Sequence, residues 1–147
     1  MEIVNGERLV LGTCYYPEHW DESLWRDDLK RMLENGIEVI RIAEFAWSKI
    51  ERYEGVFNYD FFDRFLDVAA DMGMKVIFCT PTATPPAWLT EKYPEVLNAN
   101  MDGVLYRHGG RRHYNYNSPK YQELTRIIVE KFCISLCKTS GNHRMAD

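Results

Sequence analysis

An α/β fold built on a parallel sheet is what this sequence predicts, and three observations carry the prediction. Short apolar runs at 9–12, 38–42 and 75–80 have the length of buried strands. Each delivers polar and aromatic groups at its carboxyl end, the edge where parallel α/β folds hold their ligands. Helical apolar stripes lie between the runs, so strand and helix alternate in the order that gives parallel strands with right-handed crossovers.

The elements follow in order. A possible short strand near the N-terminus precedes the first buried strand at 9–12, and Asp21 then caps a helix. Trp25, Leu29, Met32 and Leu33 fall at i, i+4, i+7 and i+8 on one face, and Asn35-Gly36 stops the helix. The second unit runs from the strand at 38–42 through a turn at Glu54-Gly55 into a helix near Asp60, with Phe62, Phe65, Leu66 and Ala69 facing inward and Met72-Gly73 closing it. After the third strand, Pro81, Pro85 and Pro86 forbid an immediate long helix and leave a stiff loop before a short helical turn around Trp88-Leu89. Residues 94–117 carry no sustained periodicity but hold Gly103, Arg107, His108, Gly109, Gly110, Arg111, Arg112 and His113, and a loop of that length in a compact domain is usually functional. Ser118-Pro119 supplies a cap and a favourable first helical residue, and Tyr121, Leu124 and Ile128 form the next stripe, which weakens after Phe132.

Composition narrows the classes. A chain of 147 residues, 46% hydrophobic and 14% aromatic, can bury one respectable core, so a single globular domain is the expected count. With 22 acidic and 18 basic residues the formal charge is -4, and no basic run tracks a phosphate backbone, so nucleic acid is not an expected partner. The first eight residues are too polar for a signal peptide, and no apolar run approaches the ~20 residues of a membrane span, so the expected location is the cytoplasm, away from membranes. Cys14, Cys79, Cys133 and Cys137 contain no CxxC pair, and a disulfide framework is not expected. Cys133 and Cys137 share a helix face, but no second ligand pair accompanies them, so no metal site is expected either.

Four motifs together carry a resemblance. Cys14-Tyr15-Tyr16-Pro17-Glu18-His19-Trp20, Arg41-Ile42-Ala43-Glu44-Phe45-Ala46-Trp47, Thr80-Pro81-Thr82-Ala83-Thr84-Pro85-Pro86 and Gly109-Gly110-Arg111-Arg112-His113-Tyr114 resemble the family 42 glycoside hydrolases, which are mostly β-galactosidases. The resemblance covers about residues 8–131 in family order. It implies the N-terminal portion, about three to four β/α units, of a TIM (β/α)₈ barrel that hydrolyses terminal β-D-galactosides with retention of configuration. Residues 1–147 then read as part of a catalytic barrel domain with a divergent tail at 132–147. The implied partner is a β-galactoside or related small carbohydrate, no cofactor is implied, and the full-length relatives are expected to be homo-oligomers.

Departures from the family pattern are informative. Ala43 stands where the family usually has glycine, which crowds the backbone at the second strand's end. Asn115 stands where zinc-bearing members carry the first cysteine of their cluster, so no zinc is expected. Gly141-Asn142-His143 resembles the lead-in to the family's fourth strand, but Arg144-Met145-Ala146-Asp147 follows without an Asn-Glu pair.

Retaining hydrolysis requires two carboxyl groups ~5–5.5 Å apart. The resemblance places the acid/base on strand four and the nucleophile on strand seven, so neither catalytic residue is expected within 1–147, and the chain alone is expected to be inactive. Glu18 and Glu44 follow strands one and two, and the resemblance makes them supporting residues rather than a catalytic pair. Arg41 points either into the barrel interior or into the helix layer, and the resemblance suggests the nucleophilic carboxylate as its partner. Arg111 matches the family's sugar-contacting arginine, whose planar fork suits vicinal hydroxyls. Tyr15 and Trp47, with Trp20 and Trp88, are candidates to stack on a sugar or to complete a core, and His113 and His19 could donate to a hydroxyl. The expected substrate-binding set is therefore Arg111, Arg41, Glu44, Tyr15, Trp47 and His113. A carbohydrate-binding or interaction fragment without catalysis is the alternative. A complete flavodoxin-type domain is disfavoured, because no Gly-rich phosphate loop opens a helix and three strands leave unpaired edges.

Overall fold

The computed structural model describes residues 3–4, 7–110 and 112–143. The chain forms two compact units, Met1–Ala43 with Asp60–Cys79, and Glu44–Tyr59 with Thr80–Asp147.

The first unit is organised by a three-stranded parallel sheet. A small antiparallel pair, β1 (Ile3–Val4) and β2 (Glu7–Arg8), precedes it. Its strands are β3 (Leu11–Cys14), β4 (Ile37–Ile42) and β7 (Lys75–Phe78), in the order β3-β4-β7, so β4 is hydrogen-bonded on both sides. The sequence predicts the first buried strand at 9–12, but pairing with β4 begins only at Leu11, opposite Ile37, which shifts the strand by two residues. Gly12 lies against β4 so closely that a Cβ there would meet the Val39 carbonyl oxygen at 3.0 Å, and glycine relieves that approach.

Two helices cover one face of this sheet. Helix α1 (Trp25–Glu34) packs on β4 and α3 (Asp60–Asp71) on β7. The predicted stripes bury Trp25 and Leu29 from α1 and Phe62, Phe65 and Ala69 from α3, while Met32, Leu33 and Leu66 are only half-buried. Ile40 and Ile42 meet these helices from the sheet, Trp25 sets its ring edge-on to Phe61 and Phe65, and Phe62 does the same to Phe78. Asp21 acts as an N-cap, but for the 3-10 turn Glu22–Leu24 that leads into α1, accepting from the Ser23 amide at 2.9 Å. Arg64 of α3 forks onto Glu22, an exposed pair of small energetic weight.

The second unit contains elements too short to reveal a period in sequence. After a single turn of helix, α2 (Trp47–Ile50), comes a tight hairpin of β5 (Glu51–Tyr53) and β6 (Val56–Phe57), with Gly55 in the left-handed region at φ 78. Helix α4 (Ala87–Lys92) begins directly after Pro85-Pro86, where the sequence predicts a short turn. Residues 94–117 contain a 3-10 turn at Pro94–Val96 and two isolated bridges, Leu97 to Tyr114 and Ala99 to Leu105, so the long loop folds back on itself. Helix α5 (Pro119–His143) is capped by Ser118, whose hydroxyl accepts from the Tyr121 amide, and it buries Tyr121, Leu124, Ile128 and Phe132. Gly141, Asn142 and His143, which resemble a lead-in to a fourth strand, instead belong to the end of α5, because no proline or glycine interrupts the helix before Gly141. Residues 144–147 lie outside the described residues.

Ala43 ends β4 with φ 67, in a region that costs an L-residue ~1–2 kcal/mol, and its methyl group is buried. Glycine would relieve the strain but lose the buried methyl, worth ~0.8 kcal/mol, and add backbone entropy to the unfolded chain. Ala43→Gly should therefore change stability by less than about 1 kcal/mol, whereas Ala43→Val should cost at least about 2 kcal/mol through the β-branch and overpacking. Denaturant melts of the two variants test this, and a neutral Ala43→Val would mean that the left-handed geometry is not maintained.

Candidate functional site

The carboxyl ends of β3 and β4 position the first group of candidate residues. Tyr15 follows β3 and donates its amide to the Arg41 carbonyl at 2.9 Å, which extends the β3-β4 ladder by one bond. Its ring is buried, stacks on Phe65 at 5.8 Å, and donates its hydroxyl to Asp28 Oδ2 at 2.8 Å. Burial, and then the hydrogen bond to the negative Asp28 carboxylate, push the phenol well above the ordinary tyrosine value. Tyr15 therefore clamps the end of β3 onto α1 and α3.

Arg41 is exposed. In register, Cys14, Arg41 and Ile77 lie side by side across the sheet, on the face opposite Ile40 and Ile42. Of the two directions open to it in sequence, the guanidinium takes the face away from the helices. Beyond β3, Pro17–His19 forms a 3-10 turn in which the Glu18 carboxylate oxygens are buried and His19 stacks on Tyr16 at 5.4 Å. Trp20 is exposed.

The second unit holds Glu44, Trp47 and His113. Glu44 is half-buried. Trp47 is 0% exposed, and its indole N–H donates to Glu51 Oε2 at 2.7 Å, so its ring is part of the core of this unit. Glu51, 3% exposed, also accepts from the Gly55 amide at 2.8 Å, and its backbone carbonyl accepts from the Trp88 indole at 3.0 Å. One buried carboxylate thus ties α2 to the β5-β6 turn. Burial raises its pKa, and the bonds from Gly55 and Trp47 oppose that rise. Three residues on, Glu54 is shifted the opposite way by hydrogen bonds from Lys92 and Tyr93.

A chain of rings connects Trp47 with His113. Trp47 lies 6.2 Å from Tyr121, Tyr121 stacks on Tyr114 at 4.9 Å, and Tyr114 meets His113 edge-on at 5.6 Å. His113 is 2% exposed and donates Nδ1–H to the Gly110 carbonyl at 2.6 Å, since a carbonyl can only accept. Its Nε2 is buried with no hydrogen-bond partner among the described residues. His108 meets the His113 ring edge-on at 4.9 Å, and its Nδ1 lies 3.0 Å from the Thr90 hydroxyl. That hydroxyl donates to the Ala87 carbonyl, so His108 Nδ1 carries the proton and donates. The two histidines pin the Arg107–Gly110 turn onto α4. Arg111 lies outside the described residues, and Arg112 beside it is exposed with φ 58.

The structure brings Tyr15 next to Arg41, and joins Trp47 to His113 through Tyr121 and Tyr114. Sequence reasoning misses the partners Asp28, Glu51, Thr90 and His108. Glu51 stands four residues after Trp47 but opens β5, outside α2, so helical spacing does not account for the contact. Among the described residues no group of three or more His, Cys, Asp and Glu side chains could hold a metal ion, and no helix is long and apolar enough to cross a membrane.

Comparison with known proteins gives a consistent assignment. A family model described as β-galactosidase, glycoside hydrolase family 42, matches residues 14–141. A β-galactosidase from a Thermus species is 48% identical over 120 residues, which is 82% of this chain and 19% of that one. The crystal structure of a β-galactosidase from the psychrophilic Marinomonas ef1 aligns with a TM-score of 0.81 at 42% identity, over 84% of this chain and 19% of that one. The Halorubrum lacusprofundi β-galactosidase structure aligns with the same values. The chain thus spans about a fifth of the length of the relatives it matches.

Buried Glu51 and exposed His108, whose ring is partly desolvated, each give a pH prediction. The raised pKa of Glu51 means that its contribution is fully present below the unfolded value, 4.5, and is lost as pH rises through the folded value. The stability difference between wild type and Glu51→Gln should therefore move in favour of the variant as pH rises from about 4 to about 7 in denaturant melts. A pH-independent difference would mean that the carboxyl is not desolvated. Burial, and then the neighbouring His113, lower the His108 pKa against the pull of Glu91. Its stabilising effect is therefore complete above the unfolded value of 6.5 and is lost as pH falls through the folded one. Amide exchange in the 107–110 turn should accelerate below that pH relative to a distant helix, and His108→Asn should abolish the acceleration.

Proposed function

The chain belongs to the family 42 glycoside hydrolases, described as β-galactosidases, and from that premise we propose that it forms the opening β/α units of a retaining β-galactosidase barrel. The observation that carries this reading is the alignment of four-fifths of the chain with family 42 structures at a TM-score of 0.81, over only a fifth of their length. In it Arg41 of the first unit, and Glu44, His113 and Arg111 of the second, are candidate sugar-side residues, with Tyr15 and Trp47 supporting their own units.

The roles differ with the chemistry of each residue. Arg41, exposed at the sheet face, offers a planar donor fork to a carboxylate or to sugar hydroxyls, and Arg111 offers the same from the Gly-rich loop. Tyr15 and Trp47 act from behind as rigid supports, which their burial and their bonds to Asp28 and Glu51 favour. The acid/base and the nucleophile come from strands outside the segment 1–147, and hydrolysis needs both, ~5–5.5 Å apart. Cys14, Cys79 and Cys133 are thiols outside any disulfide, which supports a reducing, cytoplasmic setting.

The test is turnover of a chromogenic β-galactoside by the purified 147-residue chain. No hydrolysis above buffer is expected. Turnover that disappears in Glu18→Gln or Glu44→Gln would assign catalytic carboxyls within this chain and overturn the reading.

A further inference from the structure

Within the second unit, residues 96–115 lay three short antiparallel segments side by side. Segment 96–98 pairs with 113–115, the Asn98 amide donating to the His113 carbonyl at 2.7 Å and the Asn115 amide to the Val96 carbonyl at 2.8 Å. On its other side, segment 98–100 pairs with 104–106. There the Tyr106 amide donates to the Asn98 carbonyl at 2.8 Å and the Asn100 amide to the Val104 carbonyl at 2.9 Å, with Ala99 opposite Leu105. The turn between them spans Met101, Asp102 and Gly103, and Gly103 closes it at φ 77. Asn100 Oδ1 accepts from the Asp102 and Val104 amides at 3.0 and 2.8 Å, so the hairpin is fixed by its own bonds before anything touches it.

Segment 104–106 is therefore an edge. Its bonds to 98–100 run through Val104 and Tyr106, so the N–H and C=O of Leu105 point outward, and neither has a hydrogen-bond partner among the described residues. Val104, Leu105 and Tyr106 are 62%, 50% and 43% exposed, with Leu105 on one side of the segment and the other two on the opposite side. Edge strands are ordinarily blunted by charge or proline, and these three residues carry neither. We propose that this edge pairs with the same edge of a second copy of the chain, antiparallel about a two-fold axis at Leu105. The pairing is independent of the sugar-site reading. About that axis each Leu105 amide donates to the other copy's Leu105 carbonyl, and each Val104 stands opposite the other copy's Tyr106, a β-branched and aromatic pair. Charge selects this occupant. Exposed Asp102 flanks the segment at one end and exposed Arg107 at the other, so antiparallel pairing brings acid to base at both ends, whereas parallel pairing would set like charges together. The contact is small, which places the pair among weak, reversible associations rather than permanent dimers.

The experiment is sedimentation of the 147-residue chain over a dilution series, with amide exchange at Leu105 followed at the same concentrations. A reversible monomer–dimer equilibrium is expected, with Leu105 exchange slowing as the dimer forms. Leu105→Pro removes an N–H that the hairpin itself does not use, and it should weaken the dimer at least about tenfold. Asp102→Arg and Arg107→Asp should each weaken self-association, and an equimolar mixture of the two should form a heterodimer at least about tenfold tighter than either homodimer. Val56→Ser, at a comparably exposed apolar position in the β5-β6 hairpin, should change nothing. A chain that stays monomeric up to ~1 mM overturns the proposal. So does association of any size that Leu105→Pro leaves intact, or a mixture of the two charge variants that associates no better than each alone.

Discussion

Strand β4 is the constraint on which the first unit depends, because it alone among the described strands is hydrogen-bonded on both edges. Alternation along it sends Ile40 and Ile42 into the layer of Trp25, Leu29, Phe62 and Phe65, and sends Arg41 to the opposite face. A slip of one residue would put the guanidinium among the aromatic rings and expose two isoleucines, a cost far above typical net stability per residue. Register and the direction of Arg41 are therefore one decision. The clamp of Tyr15 on Asp28 and Phe65 holds the adjacent strand end in the same frame.

The second unit is held by a different device. Glu51 is buried, yet both carboxylate oxygens accept a hydrogen bond, one from the Trp47 indole and one from the Gly55 amide, so the cost of desolvation is offset by partners rather than by neutralisation alone. Glu54, three residues later, sits where Lys92 and Tyr93 reach it and shifts in the opposite direction. Local environment, not residue type, separates these two glutamates. The ring chain from Trp47 through Tyr121 and Tyr114 to His113 extends the same packing to the Gly-rich turn.

Membership of family 42 explains why so much aromatic and charged chemistry gathers on so few elements. In a closed barrel the carboxyl ends of many strands share one mouth, and each contributes only part of a site. In the proposed reading, a chain that matches about a fifth of its relatives' length contributes only part of such a site.

Sequence by itself determined the α/β alternation, the inward faces of α1, α3 and α5, the stops at Gly36 and Gly73, the cap at Ser118 and the family motifs, because each rests on short-range periodicity or on the conformational demands of one or two residues. Tertiary structure alone decided the rest. The β3 boundary followed the reach of β4, the β5-β6 hairpin was too short to show a period, and the end of α5 took Gly141 to His143 into a helix. Trp47 and Trp88 look alike in sequence as candidate stacking rings, and only the position of Glu51 shows that both indoles are tied to it. Partners such as Asp28 for Tyr15 and Thr90 for His108 stand 13 and 18 residues away, beyond any local pattern, and such pairings exist only once strands and helices have packed.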